Sequence, residues 1–221
     1  MSHSDDMCKT DRITREPANS SPERFHRGPL GRVLERYLHS HTVQSRTNYS
    51  MVALEQLWAK AATHDPAIGL HLFSHFSRQD WHVLAHGCLY SDNLAVAIHF
   101  WARYAKLASD MDSVVLVEEG DSLGVELRID APASLVRYVV EHYCVMSLSV
   151  LRVGTGTSLL PLRACFAHQR PVYYSEYHQW FGESVQFDCE FNRLYFKRSD
   201  LKMPLQTHHA GMMEVLRQEL D

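Results

Sequence analysis

The chain has little of what would mark it as a membrane, secreted or nucleic-acid-binding protein. No apolar run approaches the roughly 20 residues that cross a bilayer, so no membrane contact is expected. The opening stretch MSHSDDMCKTDRITREP has no apolar middle and reads as no secretory signal. Cysteine is sparse: Cys8, Cys88, Cys144, Cys165 and Cys189 are far apart and none forms a C-x-x-C. That spacing excludes a zinc ribbon, and an odd number without a signal reads as reduced thiols in the cytoplasm. Positive charge is not in excess: 22 Lys and Arg stand against 26 Asp and Glu, for a net charge of -4. A chain with that balance lacks the electrostatic footprint for the phosphate backbone, so no direct DNA binding by this chain alone is expected. Catalytic signatures are also missing. There is no G-x-S-x-G elbow, and no cysteine sits in a nucleophile motif. The Gly154-Thr-Gly156-Thr-Ser run lacks the Gly-Lys-Ser/Thr of a phosphate loop and reads as a helix terminator. Glu118 and Glu119 read as a solvated strand end rather than an acid/base pair.

What is present is an ordinary globular composition, 45 % hydrophobic and 22 % charged, in 221 residues. Residues 1–29 are polar and carry Pro17, Pro22 and Pro29, and read as a mobile leader ahead of a single domain over 30–221. Helices are expected over 30–38, 51–63, 67–76 and 92–109, with Val52, Leu54, Leu57 and Trp58 as core of the second. Asp65 with Pro66, and the Ser91-Asp92-Asn93 run, read as helix starts; the stretch between 77 and 91 reads as a connecting loop. The pattern then changes. Residues 113–119 are β-branched, and 125–130 alternate, with Val125, Leu127 and Ile129 inward and Glu126, Arg128 and Asp130 outward. Around the Gly120 turn this makes a β-hairpin. A long apolar helix is expected over 133–153, then strands over 160–168, 185–188 and 194–196, a short helix over 175–181 and a terminal amphipathic helix over 208–220. Helices first and an antiparallel meander later give an α+β fold, the meander packed with the long helix.

Two clusters attract functional readings. His71 and His75, and His82 and His86, recur at i,i+4, the spacing that puts two imidazoles on one helix face. Neither pair has the Glu of a metalloprotease motif or an obvious third ligand, so the reading is no metal and no cofactor, with surface or hydrogen-bonded histidines. Trp81, His86, Tyr90, His99, Trp101 and Tyr104 concentrate aromatic and polar-tipped groups, with Tyr143 on the long helix able to face the same space. Such groups line ligand pockets, although an aromatic stripe on a buried helix is also simply core. Met212, Met213, Val215, Leu216 and Leu220 give the terminal helix an apolar side suited to a coupling or dimer surface.

The segments DPAIGLHL from Asp65, GCLYSDNLAVA from Gly87, FWARY from Phe100, RACFAHQRP from Arg163 and YHQWFG from Tyr177 occur in the order seen in one family. VQFD from Val185, FNRLYF from Phe191 and LKMPL from Leu201 continue the order. Together they resemble the N-terminal effector-binding domain, of the "arabinose-binding" type, of AraC-family transcription regulators. The resemblance implies a ligand sensor that dimerises and passes its signal to a tandem helix-turn-helix domain of about a hundred further residues; no such domain is read before Asp221. It implies an unidentified small-molecule effector, in a pocket between the helix of 92–109 and the hairpin, and a homodimer. It does not imply a sugar. The rivals are a truncated interaction protein that dimerises with full-length regulators without a ligand, and a small His-dependent enzyme; the expectation is that the chain is not an enzyme.

Overall fold

The computed structural model describes residues 23–38 and 46–220. In chain order the elements are β1 (Phe25–His26), α1 (Leu30–Tyr37), β2 (Tyr49–Ser50), α2 (Met51–His64), α3 (Ile68–His71), α4 (Val83–Tyr90) and α5 (Leu94–Tyr104). Then follow β3 (Asp112–Glu119), β4 (Ser122–Ile129), α6 (Ala133–Thr155), β5 (Arg163–Cys165), α7 (Tyr177–Phe181), β6 (Val185–Gln186), β7 (Asn192–Lys197), α8 (Arg198–Leu201) and α9 (Ala210–Leu220). The fold is α+β, with the helical half first as the periodicity predicts.

α6 is the axis. Its residues are apolar on nearly every face, so it is buried along most of its length, and α2, α3, α4, α5 and β4 all pack on it. It stops where Gly156 enters the left-handed region at φ 67° and its N–H bonds back to Arg152 O, the terminator expected from the glycines. α2 shows how the core is chosen: Ser50 caps it by accepting from Ala53 N, and Leu54, Trp58 and Ala61 form the buried stripe. Val52 does not belong to that stripe. It lies two residues, about 200°, from Leu54 and is 58 % exposed.

The sheet runs β3-β4-β7-β5-β6, antiparallel except for β5 beside β6. It is therefore not a plain meander: β7, late in sequence, inserts between β4 and β5. That insertion overturns the outward assignment of Glu126. β4 is a central strand, and Glu126 is buried between Arg193 of β7, to which it is paired, and Arg128, whose Nε donates to it at 2.6 Å. The hairpin turn is only Gly120-Asp121, with Gly120 at φ 58°, and both strands run longer than their β-branched cores. The strands expected over 160–168 and 185–188 shrink to β5 and β6, and three differences fall in the helical half. Residues 83–90, read as loop, form α4 because His82 caps it through Nδ1, accepting from Leu84 N. The helix expected over 67–76 splits into α3 and a 3-10 turn, Leu72–His75. The helix after Asn93 begins at Leu94, Asn93 accepting from Val96 N, and ends in a 3-10 turn after Tyr104.

Within the stretch read as leader, Phe25 and His26 pair with Ser50 and Tyr49, and Arg27 N donates to Ala108 O. Arg27 also makes a two-pronged ion pair with Asp110 at 2.7 and 2.8 Å. This short strap lies along residues 108–110, the segment between α5 and β3.

α3 approaches α6 through Gly69, where a Cβ would meet Glu141 Oε2 at 2.2 Å and Tyr138 O at 3.0 Å. Gly69→Ala is expected to lower stability by about 1–3 kcal/mol through overpacking. The midpoint of urea unfolding checks it, and an unchanged midpoint would mean the two helices are not in that contact.

Candidate functional site

Between α4, α5, the hairpin and the middle of α6 the packing leaves a cavity of ≈ 90 Å³. α5 contributes Ala97, Ile98 and Trp101, and the 3-10 turn after it Ala105; the hairpin contributes Asp112, Ser113, Val114, Leu127 and Ile129. Phe73, Phe76 and Trp81 form an aromatic side, and His26, Gly28 and Pro29 of the strap cover another. A shallower depression with Arg27, Arg32 and Gln79 shares Gly28, Pro29, Trp81 and His82 with it and adjoins it. The small alanines on α5 and its 3-10 turn and the long hairpin strands are what keep this space unfilled.

Three polar residues of the wall carry its electrostatics. Tyr143 Oη donates to Asp112 Oδ2 at 2.5 Å and stands 3.1 Å from His26 Nε2. His26 Nδ1 accepts from Gly28 N, which leaves the proton on Nε2, so the relay reads His26 to Tyr143 to Asp112. All three are buried. Burial pushes the Asp112 carboxyl above its ordinary value, against the pull of Tyr143 and Ser109. Burial also holds His26 neutral, its pKa lowered to about 3, and does the same to His142, lowered to about 3. Two polar atoms here have no partner: Asp112 Oδ1 and His142 Nδ1. The cavity is thus an apolar chamber with one unanswered carboxylate oxygen and one unanswered imidazole nitrogen, and such buried groups cost free energy until something meets them.

The candidates named from sequence divide. Trp81, Trp101 and Tyr143 line the cavity. His86, Tyr90, His99 and Tyr104 do not. Tyr104 is buried against Phe100, rings 4.7 Å apart, and His99 is exposed, its Nδ1 donating to Ala95 O at 2.8 Å. His86 and Tyr90 stack on each other at 6.2 Å, and Tyr90 in turn meets His209 at 6.2 Å. Asp112, His26 and His142 were missed; their signal was a carboxylate opening a β-branched strand and a Glu-His-Tyr triplet inside an apolar helix.

The histidine pairs do not act as pairs. His71 donates from Nδ1 to Asp65 and from Nε2 to Glu176, both at 2.6 Å; burial opposes its charge, but the two carboxylates raise its pKa. His75 instead lies edge-on to Tyr37 at 5.0 Å. Among the described residues no group of three or more His, Cys, Asp or Glu could hold a metal ion. Behind α6 lies a second polar knot. Glu141 Oε1 accepts from Tyr173 at 3.0 Å and from Tyr177, and burial pushes the carboxyl up to about 7.

On the terminal helix, Met213 is buried, Leu216 and Leu220 are half-buried, and Met212 and Val215 are exposed. α9 packs on α4. The segment before it is stitched to the α4–α5 junction: Leu94 N donates to Met203 O, Leu205 N to Asp92 O, His209 N to Tyr90 O, and Thr207 Oγ1 to Leu89 O. No helix among the described residues is long and apolar enough to cross a membrane.

The fold and the chamber define a class: an α+β domain clasping a central helix, with a small apolar cavity between its helical layer and its sheet. The chain belongs to the family described as the N-terminal arabinose-binding domain of AraC transcription regulators, whose profile matches residues 40–205. It is similar to the ornithine utilization regulator of Pseudomonas aeruginosa, 24 % identical over 166 residues that make up 74 % of this chain and 48 % of that protein. The chain spans about half the length of that curated relative. The crystal structure of the transcriptional regulator CdpR from Pseudomonas aeruginosa has the same fold, with a TM-score of 0.62 at 15 % identity over 84 % of this chain and 60 % of that one.

A pH prediction follows from His142. Its pKa is about 3 when folded and 6.5 when unfolded, so unfolding takes up a proton between those values and stability is lost as pH falls from 6.5 towards 3. Glu141 and Asp112, both raised, act in the opposite sense, so the measurement is the difference between the wild type and His142→Phe. Wild-type stability relative to that variant is expected to drop by about 2 kcal/mol between pH 7 and pH 5, read by urea unfolding at each pH. A constant difference would mean that His142 titrates alike in both states.

Proposed function

We propose that this chain is the ligand-sensing and dimerisation module of an AraC-type transcription regulator of the cytoplasm. An unidentified small molecule occupies the cavity, and occupancy is relayed to a DNA-binding domain of the complete regulator and to a second copy of the chain. The single observation that carries the reading is a shared wall. α4 and α5 line the chamber, and the junction between the same two helices holds residues 203–209 and so the start of α9. A shift of α4 against α5 on filling the cavity therefore moves the terminal helix. Met213 and Leu220 keep α9 on the body, while Met212 and Val215 face outward for a partner. The ligand acts by binding one arrangement more tightly than the other. No reaction is assigned.

The reading makes two measurable statements. A metabolite library is expected to contain a compound that raises the melting temperature, and Ala85→Phe, which fills the cavity from α4, is expected to abolish that shift. Dimerisation with no stabilising compound would favour the ligand-free interaction protein instead. Tyr90→Ala removes the ring between His86 and His209. It is expected to keep ligand binding within about threefold, a cost under 1 kcal/mol, yet lose the ligand-induced change in amide exchange of α9. Equal exchange responses in both proteins would count against this route.

A further inference from the structure

The chamber's own chemistry narrows its ligand, an inference that rests on the cavity being the sensor site. The lining is apolar apart from a few fixed groups, and it contains no Arg or Lys. Of its two carboxylates, Asp80 is satisfied by Arg36 and Ser77, whereas Asp112 spends Oδ2 on the Tyr143 hydroxyl and, although Ser109 also acts on it, leaves Oδ1 without a hydrogen bond in a residue only 6 % exposed. Lys106 acts on Asp112 from outside the lining; its ammonium is engaged with Asp110 O at 3.0 Å. An unpartnered carboxylate oxygen facing apolar surroundings asks for a donor and repels an anion. His142 supplies a second unpartnered polar atom on the same wall, and Phe73, Phe76, Trp81 and Trp101 supply ring faces. At ≈ 90 Å³ the cavity is smaller than the roughly 150 Å³ that takes up benzene, so one small ring with a short arm extends from it into the adjoining depression.

We infer that the effector is a small, ring-bearing molecule with a hydrogen-bond-donating head, an amine or an alcohol, which meets Asp112, and with no anionic group inside the chamber. An amine binds best, because it brings both a donor and the missing positive charge. A free amino acid does not suit the site: its carboxylate would enter beside Asp112 and find no cation in the lining. The relative's ornithine link is therefore not expected to carry over.

Four probes of one size test this on the full chain: phenethylamine, phenethyl alcohol, phenylacetate and ethylbenzene, with affinity read from Trp fluorescence and melting shift. The expected order is amine, then alcohol, with phenylacetate at least tenfold weaker than the amine. Asp112→Asn, with folding verified by circular dichroism, is expected to weaken the amine at least tenfold and leave ethylbenzene within about twofold. Tyr143→Phe removes the internal donor to Asp112 and is expected to keep or strengthen amine binding; it serves equally if Asp112→Asn does not fold. Phenylacetate binding as tightly as the amine, or amine affinity unmoved by Asp112→Asn, overturns the ligand class. If ethylbenzene binds in either case, the cavity reading survives. No response to any of the four, ethylbenzene included, overturns both.

Discussion

Everything in this domain answers to one constraint, the burial of the middle of α6 on nearly all sides. A helix with water on one face can send its polar side chains there. α6 cannot, and Glu141, His142 and Tyr143 stand in succession at its middle, all buried. At about 100° per residue they leave the helix in three directions, so three different parts of the chain must receive them. Glu141 goes to Tyr173 and Tyr177 and forces glycine at position 69. His142 goes among Phe73, Phe76 and Trp58. Tyr143 goes to Asp112 and His26, which ties the hairpin and the N-terminal strap to the same turn of helix. Buried polar groups are high-stakes when partly satisfied, and here all three directions are incomplete. Glu141 keeps an orphan Oε2, and the cavity side keeps His142 Nδ1 and Asp112 Oδ1.

The two buried carboxylates that keep an orphan oxygen differ in what lies beside them. Glu141 is enclosed by two tyrosine hydroxyls with Arg137 at 3.9 Å, and its orphan oxygen faces Gly69, where not even a methyl fits. Nothing can enter there. The orphan oxygen of Asp112 belongs to a residue that lines an open volume. The same unmet valence is thus strain in one place and, in the proposed reading, a binding site in the other, and the space beside it decides which.

The fold was legible wherever one periodicity met one environment. α1, α2, the hairpin and α6 follow from apolar spacing, and the left-handed Gly156 follows from the glycine pair after a long apolar run. Reading failed where tertiary placement set the environment. Alternation put Glu126 in solvent, but β7 inserts beside β4 and turns its second face into an interior lined by Arg193. α4 looked like a loop because its cap is a histidine, a residue whose ring nitrogen does the work normally expected of Asp or Ser. In the site, Trp81, Trp101 and Tyr143 were legible as aromatic residues near an apolar helix. His86 and Tyr90, four residues apart on the same helix, turn away from the cavity towards His209. His26 escaped because it lies in a polar, proline-bearing stretch that reads as leader, yet a two-residue strand carries it under the body.

These placements explain why the cavity and the terminal helix are linked without a long-range mechanism. α4 has two loaded faces, one on the chamber through Leu84, Ala85 and Cys88, the other on His209 through Tyr90. Gly87 lets α5 come so close that a Cβ there would strike the Phe100 ring at 2.1 Å, so the two helices cannot close further and can only slide or part. Close packing of this kind passes a displacement on rather than absorbing it. A typical allosteric coupling of about 1–3 kcal/mol is no larger than the cost of one buried polar group left unmet. A ligand that satisfies Asp112 in only one arrangement of α4 and α5 therefore carries enough differential affinity to move α9. In the proposed mechanism the unsatisfied carboxylate is the source of the specificity, and its burial against α6 is what would make satisfying it matter to the rest of the chain.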